Sequence, residues 1–356
     1  MNILDIFPEN RKSASIKCFF ILSFIFCFLC SFKSHGVNLY FCDHNWESLP
    51  IRQDGRVKPL LVHAKESIKY LTGKTKIGSY SAVQAYCLLS LRGMGLNTQV
   101  ELLMPVEHEK ILKLLELEGG KNKISYDEAS SYTSLFRREM AKTTEGDSLK
   151  AALKKHLNQL ALYRDIAQGT NWMFAGTLNE RIIWMPLPTF ITEEKIKQTK
   201  KTGVAAFKTV MTQSKSDYIR LSGDDYLLEL GFVKANLTWW TMLAALLALA
   251  GFFIFKNTKP AMVFALITLL LQISIIVLRV LVSGRAPITN MYETVLFSGF
   301  AGLVIAILIG FLKKEKIFVI AGLSYNICTL WMLNFANNML SPRISPLVPV
   351  LRDNFW

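Results

Sequence analysis

Four residues whose types could do chemistry stand close together between two long apolar runs: Arg285, Asn290, Tyr292 and Glu293, within Ser283-Gly284-Arg285-Ala286-Pro287-Ile288-Thr289-Asn290-Met291-Tyr292-Glu293. A plain connector between apolar helices needs turn formers and a charge or two. Here a cation, an amide, a phenol and a carboxylate gather around one proline, offering donors for an anionic group and an aromatic wall beside them. An ionisable residue abutting a membrane span is costly unless a partner or a polar cavity receives it, so Arg285 and Glu293 are functional candidates. A plainer reading makes the same residues a helix start, with Thr289 or Asn290 as N-cap and Glu293 near the positive end of the helix dipole. The two readings are compatible.

Other candidates are more scattered. Arg343, Arg352, Phe355 and Trp356 offer donors and aromatic walls near the C-terminal end of the sequence, and Arg56 with Lys58 forms a basic turn between Gly55 and Pro59, able to meet an anion or simply solvated. The five histidines are His35, His44, His63, His108 and His156. His35 and His44 follow an apolar run closely and, with Cys42 between them, form a weak metal-ligand set; no second ligand pair at zinc-site spacing accompanies it. Cys27 and Cys30 form a C-x-x-C inside an apolar run, where it reads as apolar filler. No C-x-x-C-H occurs, so the chain is not itself a c-type cytochrome. Cys42 and Cys87 are free to pair in an oxidising compartment.

The elements that must position these residues are apolar spans. Runs at 237–255, 261–282, 295–312 and 317–335 each approach the roughly 20 residues that cross about 30 Å of hydrocarbon. A shorter run, 18–32, follows Arg11, Lys12 and Lys17. It reads as an uncleaved signal anchor, because Phe32 and Lys33 interrupt the small residues that a cleavage site needs. Lys256 and Lys259, and then Lys313, Lys314 and Lys316, mark two loops as cytoplasmic. Residues 33–236, the Arg285 loop and the tail then share the opposite side. The predicted fold is a multi-pass α-helical membrane protein of about five transmembrane helices with a mainly helical extracytoplasmic domain. Its parts are an anchor at 1–32, that domain at 33–236 and a four-helix membrane region at 237–356, in the cell (inner, cytoplasmic) membrane. The net charge of +14 is explained by topology and anionic lipid, and no basic-aromatic pattern points to nucleic acid.

Within 33–236, apolar spacing predicts helices near 81–92, 107–117, 126–142 and 148–168, opened by Ser125 or Asp127 and by Ser148. The stretch 172–191 reads as strand or extended chain, and Gly55, Gly73, Gly119, Gly120 and Gly169 mark turns. In the spans, Gln272 and Arg279 lie seven residues apart on one face. Gln272 is expected to bond a neighbouring helix, and Arg279 to snorkel to the interface. Trp239 and Trp240 suit an aromatic belt. Asn334, Asn337 and Asn338 could line a polar cavity.

The string GRAPITNMYE resembles the signature of the haem-handling membrane proteins of cytochrome c assembly, the CcsA or ResC type of the system II machinery. Residues 346–356, PLVPVLRDNFW, resemble the family's "PLVPxLxSxW" approach to its haem site. Residues 49–60, containing GRVKPL, are similar to a "GRxKPL" segment of longer members. The three occur in the family's order. The resemblance implies haem as the cofactor, with Arg285, Asn290, Tyr292, Glu293, Arg352 and Trp356 on its path. It also implies apocytochrome c as partner, and delivery or attachment of haem at the outer membrane face as part of a cytochrome c haem lyase. In the family that approach runs on to a histidine, a tryptophan-rich "WWD" stretch and a second histidine. No histidine follows His156 in this sequence. The resemblance therefore implies a partial or split protein, inactive alone, completed by a separate C-terminal half or a ResB-type membrane partner. Two rivals stand beside it: a membrane-anchored scaffold or sensor whose outer domain binds a partner protein, and a transporter subunit with Gln272 and Arg279 along a path.

Overall fold

The computed structural model describes residues 42, 46–53, 55–92, 100–117, 121–190, 203–253, 258–286, 288–336, 340 and 342–344. The expected anchor at 1–32, the ligand candidates His35 and His44, and Arg352 and Trp356 at the other end lie outside the described residues. The chain divides into two compact units, one within His35–Leu230 and one within Gly231–Trp356.

The N-terminal unit combines helices with small antiparallel sheets. Strands β1 (Pro50–Gln53) and β2 (Arg56–Pro59) form a hairpin through Gly55, whose φ of +77° suits glycine. Two later strands, numbered β7 (Met173–Leu178) and β8 (Arg181–Pro186), complete a four-stranded sheet in the order β2-β1-β7-β8. Asn179 and Glu180, at φ +47° and +60°, form the two-residue turn between them, the backbone twist that tight hairpins favour. Two further pairs are β3 (Lys76–Ile77) with β4 (Tyr80–Ser81), and β5 (Leu103–Pro105) with β6 (Lys123–Ser125).

Helix α1 (Leu60–Thr72) follows β2 directly and ends on Gly73, whose left-handed φ of +74° lets its N–H reach the Lys69 carbonyl. Helix α2 (Ala82–Arg92) is the hub of the core. It is apolar all round and buries every residue from Ala82 to Leu91 except Gln84, as a helix enclosed on all sides must. Around it stand α3 (Glu109–Leu114), α4 (Tyr126–Ser131), α5 (Thr133–Lys142), α6 (Ser148–Ala167) and the short α7 (Leu187–Phe190). Ile51, Leu60, Ile68, Leu89, Phe136, Leu153 and Trp172 fill the centre. Each such side chain contributes about 1.5–3 kcal/mol by leaving water. Cys42 and Cys87 are joined in a disulfide, fastening the chain ahead of β1 to the hub helix. Helix α8 (Gly203–Ser222) packs on β7, where the Ser214 hydroxyl donates to the Ala175 carbonyl at 2.7 Å, and α9 (Leu227–Ala235) follows.

Several expectations change in detail. The helix expected over 126–142 breaks at Tyr132, so it is two helices. The second long helix is capped by Asp147 rather than Ser148, the Asp147 carboxylate accepting the Leu149 N–H at 2.9 Å. That bond holds the Asp147 carboxyl below its usual range. The stretch 172–191 is extended only as far as Pro186 and then turns into α7.

The C-terminal unit holds α10 (Leu237–Phe253), α11 (Thr258–Ser283), α12 (Met291–Lys313) and α13 (Lys316–Phe335). The described chain has four helices long and apolar enough to cross a membrane: Leu227–Phe253, which includes α9, and α11, α12 and α13. Large apolar side chains point outward, among them Leu270, Leu281, Leu308 and Trp331, each more than half exposed, as suits a surface that meets lipid. Helices α10 and α13 pack along each other, with α11 beside α10 and α12 beside α13. The buried residues of α11 are Ala261, Ala265, Thr268, Gln272, Ile275 and Arg279, one seam at alternating spacings of four and three. Helices α12 and α13 approach closely through small residues. Thr329 packs on Gly299, Tyr325 on Gly302 and Ala306 on Gly322, each where a glycine Cβ would overlap its neighbour.

Candidate functional site

The Arg285 loop is built from both ends. Helix α11 stops at Gly284, whose φ of +66° turns the chain and whose N–H donates to the Val280 carbonyl at 2.8 Å. Helix α12 starts at Asn290, whose side-chain oxygen accepts the Glu293 N–H at 2.8 Å. Glu293 reaches back in return: Oε2 accepts from the Thr289 N–H at 3.1 Å and from the Thr289 hydroxyl at 2.9 Å. This is a capping box shifted one residue toward the loop. The helix-start reading of these residues is thus realised, with Asn290 as the cap.

The remaining Glu293 oxygen has a different partner. Arg279, one turn before the end of α11, donates from Nη2 to Glu293 Oε1 at 2.9 Å, and each side chain is 1% exposed. The Arg279 guanidinium carbon lies 4.7 Å from the centre of the Tyr292 ring. Its Nη1 donates to the Pro342 carbonyl at 3.2 Å, while Asn290 Nδ2 donates to the Arg343 carbonyl at 3.4 Å. Arg279 therefore does not snorkel. A carboxylate, an aromatic face and a carbonyl receive the guanidinium inside the unit, while its Nε is buried with no hydrogen-bond partner. Sequence reasoning missed this pairing because the partners lie on different helices.

Tyr292 and Glu293 consequently face inward, toward Arg279, while the Arg285 side chain remains half-buried. Arg285 Nε is buried with no hydrogen-bond partner, and among the described residues no carboxylate pairs with this guanidinium. Ile288 and Met291 beside it are exposed. The arrangement holds a half-buried cation in a capped loop, beside exposed apolar side chains. Such a place can take an amphipathic anion. Of the residues singled out in the sequence, the structure thus brings Asn290, Tyr292 and Glu293 together around Arg279 and leaves Arg285 as the open donor. Arg343 is exposed beside them, linked through its backbone.

Two more polar contacts bind the helices. Asn326 Nδ2 donates to Gln272 Oε1 at 3.0 Å and to the Gly299 carbonyl at 2.9 Å, so Gln272 makes the expected bond to a neighbouring helix. The Thr238 hydroxyl donates to Asn334 Oδ1 at 3.1 Å, which ties Asn334 into the junction of α10 and α13; Asn337 and Asn338 lie outside the described residues.

In the N-terminal unit both cations of the basic turn are paired with carboxylates. Arg56 makes a two-pronged pair with Glu229, Nη1 to Oε2 at 2.9 Å and Nη2 to Oε1 at 3.0 Å. Lys58 is buried and donates to Glu66 at 2.5 Å. Burial rules out a simple solvated turn, because each cation then needs a carboxylate. His63 is buried in a network: Nδ1 meets Gln53 Oε1 at 2.6 Å, and Nε2 meets the Tyr86 hydroxyl at 2.9 Å and Asn171 Oδ1 at 2.8 Å. Burial pushes the Tyr86 phenol well up. His156 bonds Gln159, whose amide donates to the Tyr70 carbonyl, and burial lowers its pKa. His108 caps α3. At the surface, Arg92 and Asp127 flank Tyr163, whose phenol is pushed up to about 12 by burial and by its hydrogen bond to Asp127. Among the described residues no three His, Cys, Asp or Glu side chains gather to hold a metal ion. Compared with models of known protein families and with curated proteins, the chain matches none.

Proposed function

We propose that this chain takes part in cytochrome c assembly as a haem-handling membrane protein of the CcsA or ResC type, acting at the outer face of the membrane. The observation that carries the reading is the tie that Arg279 and the GRAPITNMYE loop make to residues 342–343. Asn290 and Arg279 hold the carbonyls of Arg343 and Pro342, so the chain leading into the 346–356 segment starts beside the GRAPITNMYE loop. In this reading that face and residues 33–236 lie outside the cytoplasm, which the lysines of the two basic loops support. The Cys42–Cys87 disulfide suits such an oxidising compartment. With the 18–32 run as anchor, the spans number five.

The described residues fit one end of haem and not the other. In this reading the half-buried Arg285 guanidinium meets a propionate, and the exposed Ile288 and Met291 side chains meet the porphyrin edge. The iron has no imidazole among the described residues of this unit, so no step through iron is assigned to them. In this reading Arg285 binds and orients the propionate end, and Asn290 and Glu293 hold the loop rigid behind it. Two thiols of an apocytochrome c would add across the vinyl groups, an S–H bond and a C=C π bond giving way each time to one C–S and one C–H bond, and a ResB-type membrane partner would supply histidines to the iron.

The test is Arg285→Ala in the full chain, read as c-type cytochrome level in a complementation assay. A fall of tenfold or more is expected, and an unchanged level would sink the reading. A second reading, a membrane-anchored scaffold whose outer domain binds a partner protein, draws on the internal pairing of Arg56, Lys58 and Glu293. It requires that one anchor and the outer domain suffice for activity once the last three spans are removed.

A further inference from the structure

We infer that Arg279 is a positioning residue, a two-armed latch that holds the 342–344 segment against the start of α12. Its two terminal nitrogens serve different elements: Nη2 binds Glu293 on the first turn of α12, and Nη1 binds the Pro342 carbonyl, beyond the end of α13. The planar fork is what permits this, since its donors diverge at a fixed angle that a single ammonium does not reproduce. The Tyr292 ring covers the guanidinium at 4.7 Å and leaves those two directions open. Within the segment Ile344 is buried, 5% exposed, although it lies outside any helix. Two further bonds lie beside this contact: the Leu340 N–H donates to the Ala336 carbonyl, and the Arg343 carbonyl accepts from Asn290 Nδ2 at 3.4 Å. As a positioning residue for haem, this role rests on the function proposed above; as a latch it stands on the geometry.

The experiment uses the full chain in membranes, with Cys18, Cys27, Cys30 and Cys328 replaced by serine and one reporter thiol, introduced by Ile344→Cys in the segment or by Leu303→Cys in the middle of the bundle. Labelling by a maleimide is read at each position by peptide mass. Arg279→Lys keeps the charge opposite Glu293 and removes the fork. The latch predicts that this variant speeds labelling at position 344 by tenfold or more, while position 303 stays protected. Unchanged labelling at 344 overturns the proposal. Labelling that rises equally at both positions also overturns it, because the bundle has then simply loosened. Cytochrome levels separate the two claims. If labelling at 344 rises, but neither Arg279→Lys nor Arg285→Ala lowers c-type cytochrome, the latch stands and the haem reading fails.

Discussion

In the N-terminal unit, Arg56 and Lys58 pair with Glu229 and Glu66 while water reaches one side of each pair: the Arg56 side chain is 16% exposed and that of Glu66 20%. In the apolar four-helix unit, Arg279 and Glu293 are each 1% exposed, and their other partners are a ring and a carbonyl. The same chemistry, an arginine and a glutamate at 2.9 Å, therefore sits in two media. Where water assists, a lost partner is partly replaced by solvent; where it does not, the surviving charge is stranded. The units differ in covalent support as well, since a disulfide braces the first, whereas Cys328 in the second is a free, exposed thiol.

The comparison can be broken most directly at its carboxylates. Glu293→Ala should cost about 3–5 kcal/mol, the penalty of leaving one member of a buried pair behind, whereas Glu229→Ala should cost about 1.5–3 kcal/mol, the scale of hydrogen bonds to a charged group. Denaturant titration in detergent, following each variant, tests this; equal losses would show that the media are alike. The disulfide sharpens the contrast from the other side. Closing a 45-residue separation constrains the unfolded chain by about 4 kcal/mol. Cys42→Ser with Cys87→Ser, or reductant after unfolding, should therefore lower the midpoint of the N-terminal unit and leave that of the four-helix unit in place. The smallest effect is a pH response confined to the N-terminal unit. Burial holds the His156 imidazole below its ordinary 6.5, so the unfolded chain binds a proton more readily. Stability from this group is full above about 6.5 and falls as pH drops below it, levelling off beneath the folded value. Unfolding midpoints at pH 7.5 and pH 5 should differ, and His156→Gln should reduce that difference.

Much of this architecture is legible in one dimension, because hydrocarbon selects for long apolar runs. The four spans read from sequence match the helices to within a few residues. The main shift is at α12, which begins at Met291 because Tyr292 and Glu293, polar by type, lie on its first turn and face inward. The seven-residue spacing of Gln272 and Arg279 correctly marks a shared face, and the cap at Asn290 follows from local rules. What local rules do not carry is the partner across helices: Arg279 with Glu293, Arg56 with Glu229. Such pairs depend on how elements pack, and no periodicity records it. The short strands β3 to β6 and the β1–β2 hairpin escape notice for a similar reason, being two to four residues long and held by their neighbours.

The glycine contacts between α12 and α13 have a mechanical consequence. With Thr329 seated on Gly299, Tyr325 on Gly302 and Ala306 on Gly322, the seam has no room for a side chain at any of the three glycines. An alanine at Gly299 or Gly322 would therefore push the two helices apart at the end where it sits, so the spacing of the pair is set by three missing methyl groups rather than by any bond.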